Sequence, residues 1–115
     1  MLINKSTNKV VMQNVRIAHS FFAKLRGLMF ERKANFNYAL IMPLGRKTRV
    51  GASIHMLFVF FPITVLFIDE NKRVVDKALL KPFTLNYTPK AKCKYIIELP
   101  AEKFDEFAIN DTLAW

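Results

Sequence analysis

The sequence predicts a mainly β fold with short α-helices, an α+β arrangement that is small, mostly antiparallel and β-barrel-like. Three observations carry that expectation. From Ile54 to Ile68 only His55, Pro62 and Thr64 interrupt the apolar side chains. A half-exposed strand would alternate apolar with polar residues, so this run asks for burial on both faces. Pro62 would remove a hydrogen bond near the middle of a helix, and Val59, Ile63, Thr64 and Val65 are β-branched, so the run reads as two strands, 54–60 and 63–68, meeting at a bend or bulge at Pro62. Finally, the other apolar runs are short and bounded by turn residues, and closure into a barrel would remove the edges that such strands leave open.

Taken in order, Leu2-Ile3 and Val10-Val11-Met12 flank Ser6-Thr7-Asn8, the pattern of an N-terminal hairpin. Ser20 can cap a short helix over 20–27, since Phe21, Phe22, Leu25, Leu28 and Met29 share one face and Gly27 can end it. Residues 38–42 form a third strand candidate, stopped by Pro43 and Gly45, and Gly45 to Gly51 enclose a basic loop with Arg46, Lys47 and Arg49. After the central run, Asp69-Glu70-Asn71-Lys72 is a turn, and Val74-Val75 completes a hairpin. Residues 82–89 read as an irregular connection. Lys90, Lys92 and Lys94 alternate with Ala91, Cys93 and Tyr95, which at period 2 puts three ammonium groups on one strand face. That strand runs to Pro100. Pro100 and Glu102 suit the start of a second short helix, and Asn110-Asp111 turns the chain into a last strand over 112–115.

A chain of 115 residues is expected to be one domain, 1–115, with a real core to which 11 Phe contribute. One cysteine leaves no internal disulfide and fits a reducing, cytoplasmic setting. No basic segment followed by an apolar one opens the chain, so no signal peptide is expected, and the central run is too short and too interrupted for a membrane span. The net charge of +9 speaks to partners and solubility, and points toward something negative.

Arg26-Gly27-Leu28-Met29-Phe30, His55-Met56, Phe61-Pro62-Ile63 and Phe67-Ile68-Asp69, with Pro82 and Tyr95-Ile96-Ile97-Glu98-Leu99-Pro100, resemble the blocks of the domain of unknown function 192 family, also called uncharacterised protein family 0127. The resemblance covers nearly the whole chain. It implies a compact β-barrel-like domain with short helices, and no established activity, substrate or cofactor. Where many members carry Pro-Leu-Asp this chain has Pro62-Ile63-Thr64, so a carboxylate is missing; His55 stands where many have Trp; and the closing Gly-Asp is Asn110-Asp111.

His55 could be a general base or an anion ligand, against the plainer role of a hydrogen-bonded core histidine. Arg26 could grip a carboxylate or phosphate with its two-pronged edge, or pair internally with Asp69 or Glu98. Asp69 stands beside a turn it could cap, and Glu98 lies in an apolar strand where a carboxylate must face solvent or find a partner. Cys93 lies between two lysines that would activate a thiol, although adjacent strand residues face opposite ways. The scattered His and Cys give no metal-ligand spacing, and no phosphate loop, nucleophile elbow or dinucleotide fingerprint is present, so no metal or cofactor is expected. The basic groups Arg46, Lys47, Arg49, Lys90, Lys92 and Lys94 would make a footprint for a polyanion if contiguous. The sequence therefore ranks a non-enzymatic module binding a small, possibly anionic ligand near Arg26, His55, Asp69 and Glu98 first. A nucleic-acid-associated basic protein ranks second, and a small enzyme using His55 with Asp69 or Glu98 as acid and base ranks last.

Overall fold

The computed structural model describes residues 1–20, 27–56 and 58–115. In chain order the strands are β1 (Leu2–Asn4), β2 (Lys9–Met12), β3 (Val15–Ile17), β4 (Ala39–Thr48), β5 (Ile63–Ile68), β6 (Val74–Leu80), β7 (Cys93–Pro100) and β8 (Leu113–Ala114). They make a three-stranded sheet, β2-β1-β8, and a five-stranded sheet, β3-β4-β7-β5-β6. Every pairing is antiparallel except β3 with β4.

β5 fulfils the demand of its sequence. All six residues are buried, and β6 and β7 pair on its two edges. Ile63, Val65 and Phe67 enter one hydrophobic core, and Leu66 and Ile68 enter another. The second core also takes Leu2, Val11, Met12 and Leu113, so the small sheet packs on that face of the large one. The opposite face is covered by connections instead of strands, through Leu28, Phe36, Ala52, Ile54, Met56, Val59 and Phe61. The architecture is thus sheet, sheet and a layer of loops. The closure into a barrel expected from the sequence is not seen among the described residues: β3 and β6 end the large sheet, and a single bridge, Arg73 to Thr112, joins it to the small one.

Several expectations are corrected. In the first half of the central run, 54–60, the described residues form no named strand; among them Ile54 alone bridges, to Tyr87. The Met56 carbonyl accepts from both Val59 N (3.1 Å) and Phe83 N (3.0 Å), and Phe58 turns into the left-handed region at φ 57°. Phe58 and Phe60 consequently point to solvent, so burial on both faces fails there. Pro62 precedes β5 and is no hinge between two strands. Pro43 and Gly45 do not stop β4, because an irregularity in its pairing with β7 between Pro43 and Thr48 absorbs the proline. The second helix is a 3-10 turn, Ala101–Glu106, with Pro100 at its cap. The helix expected over 20–27 lies outside the described residues apart from its ends; Gly27 has φ 50°, as a helix-ending glycine would. Both hairpins form as read, with Asn8 (φ 62°) and Lys72 (φ 61°) supplying the left-handed turn residues.

Candidate functional site

β3, unrecognised in the sequence because three residues give no periodicity, sets Arg16 beside Leu40 on the edge of the large sheet. The Arg16 guanidinium lies 3.9 Å over the ring of Tyr38. Two clefts meet at this pair. The larger, about 450 Å³, is lined by Met1, Gln13, Asn14, Val15, Arg16, Asn37 and Tyr38: one guanidinium, three amides and no carboxylate. The smaller, about 270 Å³, adds Gly27, Glu31 and Leu40. The Tyr38 hydroxyl donates to Glu31 Oε2 at 2.8 Å, which holds the ring beneath the guanidinium.

Glu98 lies one strand further in. It sits on β7 between Leu40 and Val65, on the loop-covered face, and is 5% exposed. Its Oε1 is buried with no hydrogen-bond partner among the described residues. Burial alone pushes its carboxyl up to about 7, because the ionised form loses its water. Leu40 lines the smaller cleft, and Pro100, two residues along β7, lines a third of about 80 Å³ with Phe36 and Phe61.

Of the expected ligand groups, the three among the described residues, His55, Asp69 and Glu98, do not assemble as one site. Asp69 caps the β5–β6 turn: its Oδ1 accepts from Asn71 N and Arg73 N, both at 2.9 Å. It stands four residues beyond Val65, the partner of Glu98, which is roughly 13 Å along the strand. His55 is half-buried on the strip that bridges Tyr87, whose ring stacks on Phe67 at 5.6 Å. That strip lies over β5, about three strand spacings, roughly 14 Å, from β3. Arg26 lies outside the described residues; its neighbour Gly27 lines the smaller cleft.

Sequence reading also missed a polar cluster around the buried Asp76. Asp76 Oδ2 accepts from the Tyr87 hydroxyl (2.8 Å) and Lys90 N (3.1 Å), while Oδ1 accepts from Lys77 N (2.9 Å). Burial, then Asp76, pushes the Tyr87 hydroxyl up to about 12. The same two causes push the Cys93 thiol up to about 11, so the thiol is buried and inert, and the neighbouring Lys92 and Lys94 do not activate it. The only sign in the sequence was an acid within an apolar strand, Val74-Val75-Asp76.

The antiparallel register of β4 and β7 draws the two basic groups to one end of the sheet. Thr48 pairs with Cys93, the Lys94 ammonium donates to the Leu44 carbonyl, and Arg49 donates to the Pro89 carbonyl at 3.3 Å. Arg46, Lys90 and Lys92 are exposed beside them. Lys47 is committed to Glu70 at 3.1 Å, and that hydrogen bond holds the Glu70 carboxyl below its usual range.

The family described as Uncharacterized ACR, DUF192, matches residues 2–114. A UPF0127 protein of Thermococcus sibiricus is 44% identical over 117 residues, covering 100% of this chain and 74% of its own. One of Pyrococcus horikoshii is 46% identical over 100 residues, covering 87% of this chain and 84% of its own. The fold resembles that of a protein of unknown function from Novosphingobium aromaticivorans, with a TM-score of 0.77 at 16% identity over 88% of this chain and 74% of that one. The family match and the sequence relatives therefore show that the chain belongs to the DUF192 family of UPF0127 proteins, whose function is uncharacterised.

Proposed function

We propose that the protein is a non-enzymatic module that holds a small anionic ligand in the larger cleft at Arg16. The observation that carries this is the larger cleft itself, which offers a guanidinium and three amides with no carboxylate to repel an anion. Stacking on Tyr38 fixes the plane of the guanidinium, and an oriented guanidinium edge suits a planar carboxylate or a phosphate. The ligand position deduced from the sequence thus moves from Arg26 and His55 to Arg16, with Glu98 behind the smaller cleft as a neutral acid able to donate a hydrogen bond. A reducing cytoplasm suits the single buried thiol.

A thermal-shift screen over organic acids, sugar phosphates, nucleotides, metals and short oligonucleotides tests this. A ligand at about 100 times its dissociation constant adds roughly 2.7 kcal/mol of stability, and Arg16→Ala removes that gain. A flat screen, or a gain that survives Arg16→Ala, sinks the proposal.

A second reading, association with a nucleic acid, has its own observation in the β4–β7 register that gathers Arg46, Arg49, Lys92 and Lys94. It predicts binding that weakens steeply with salt, and a salt slope lowered by about 2 in the double variant Arg46→Ala, Lys92→Ala.

A further inference from the structure

We propose that Phe30, Phe58, Phe60 and Phe83 form a docking surface for an anionic lipid bilayer. They come from three separate loops and remain 61%, 42%, 60% and 45% exposed. Phe30 and Phe58 stack at 4.8 Å, Phe60 meets Phe83 edge-on at 5.2 Å, and Phe58 meets Phe83 at 6.4 Å. Together they offer roughly 400 Å² of apolar surface, as much as the largest patch on a typical monomer.

The backbone is built to present these rings. Phe30, Phe58 and Phe83 all adopt left-handed conformations, with φ of 62°, 57° and 61°. Such a conformation is costly for a bulky residue, and a cluster of three at one spot points to function. Phe30 N donates to the Phe58 carbonyl at 2.8 Å, and Phe83 N donates to the Met56 carbonyl at 3.0 Å, so the loops are tied to one another.

Charge selects the occupant. Arg32 and Lys33 follow Phe30, Lys81 precedes Phe83, and all three are exposed. Glu31, which intervenes, accepts from Arg32 N and the Tyr38 hydroxyl. A second copy would set these cations, and a net charge of +9, against themselves. A stacking platform for bases needs open ring faces, and Phe30 and Phe58 each spend one face on the other. Rings without hydrogen-bonding groups, flanked by cations, are the chemistry that enters the boundary between headgroups and acyl chains of an anionic bilayer.

Flotation of the intact protein on phosphatidylcholine vesicles, with and without phosphatidylserine, tests this. The protein floats with the anionic vesicles and at least about tenfold less with the neutral ones. The double variant Phe30→Asn, Phe83→Asn keeps the parental melting temperature, because Asn tolerates the left-handed region, yet loses at least about tenfold in flotation. Phe60→Ser, outside that region, gives a smaller loss and guards against misfolding of the first variant. Absence of flotation, equal flotation on neutral vesicles, or parental flotation by all the variants overturns the proposal. So does a dimer, or oligonucleotide binding, that the Asn substitutions abolish in a protein that does not float.

Discussion

Burial on β7 makes Glu98 hold its proton to a higher pH than an exposed carboxyl does. Its carboxyl, raised to about 7 from an ordinary 4.5, binds that proton more tightly in the folded chain than in the unfolded one. Between those values the native state carries the extra proton, so stability falls as pH rises, and the fall ends once pH has passed the folded value. The loss attributable to Glu98 is on the order of 3 kcal/mol. Glu98→Gln, which copies the neutral acid, should flatten that slope, so its deficit relative to the parent shrinks or reverses from pH 5 to pH 8. Urea unfolding across this range measures it, and an unchanged slope would mean that Glu98 ionises freely. Thr64 can be weighed the same way. Its hydroxyl donates to the Ala101 carbonyl at 3.1 Å from a fully buried position. Thr64→Val should cost about 1 kcal/mol, and Thr64→Asp more at neutral pH, since an ionised carboxylate there faces a carbonyl it cannot donate to.

At the scale of elements, the β5–β6 hairpin shows what the sequence could say. Five apolar residues and Thr64, rich in β-branching, an Asp-Glu-Asn-Lys turn and a resumed strand leave little alternative, and Asp69 closes the turn with two backbone hydrogen bonds. Asp69→Ala should lower stability by about 1 kcal/mol while Asp69→Asn, still an acceptor, costs less; equal costs in chemical denaturation would deny the cap. The segment before it was illegible for a physical reason. Residues 54–60 share the composition of β5, but a left-handed backbone at Phe58 leaves no trace in apolar periodicity, and it turns Phe58 and Phe60 outward. β3 was too short to show a period, and a parallel partner cannot be read from a turn. The same limit hid the candidate site: Arg16 looks like any basic residue until β4 brings Leu40 and Tyr38 beside it. Glu98, by contrast, was visible as an acid in an apolar strand, but the pattern left it either facing solvent or paired, and it is buried with Oε1 unpartnered among the described residues.

Across the whole molecule, the small sheet is closed by contacts between the chain's two ends, which no local pattern announces. β1 pairs with β8, and Asn4, fully buried, sits at that seam. Its amide nitrogen donates to the Glu106 carbonyl at 3.0 Å and to Asp111 Oδ2 at 2.8 Å, and its amide oxygen accepts from Ser6 N and Thr7 N. Asn4→Asp keeps the shape and the acceptor but loses both donor hydrogens, and it sets one carboxylate against another where no water reaches Asn4. At neutral pH the cost should be on the order of 3 kcal/mol, since a buried charge has lost its partner. One of the two carboxylates then gains a raised pKa, so the deficit should shrink as pH falls toward 4 and the pair takes up a shared proton. The large sheet supplies most of the core beneath this seam, through Ile41, Leu66, Ile97 and Leu99, and the small sheet supplies its cover, through Leu2, Val11 and Leu113. Neither can keep that core dry alone. Urea unfolding of Asn4→Asp should therefore remain a single transition with a lower midpoint by both fluorescence of Trp115 and far-ultraviolet dichroism. Two separated transitions, with the small sheet lost first, would show that the sheets are independent units and that the shared core does not bind them into one.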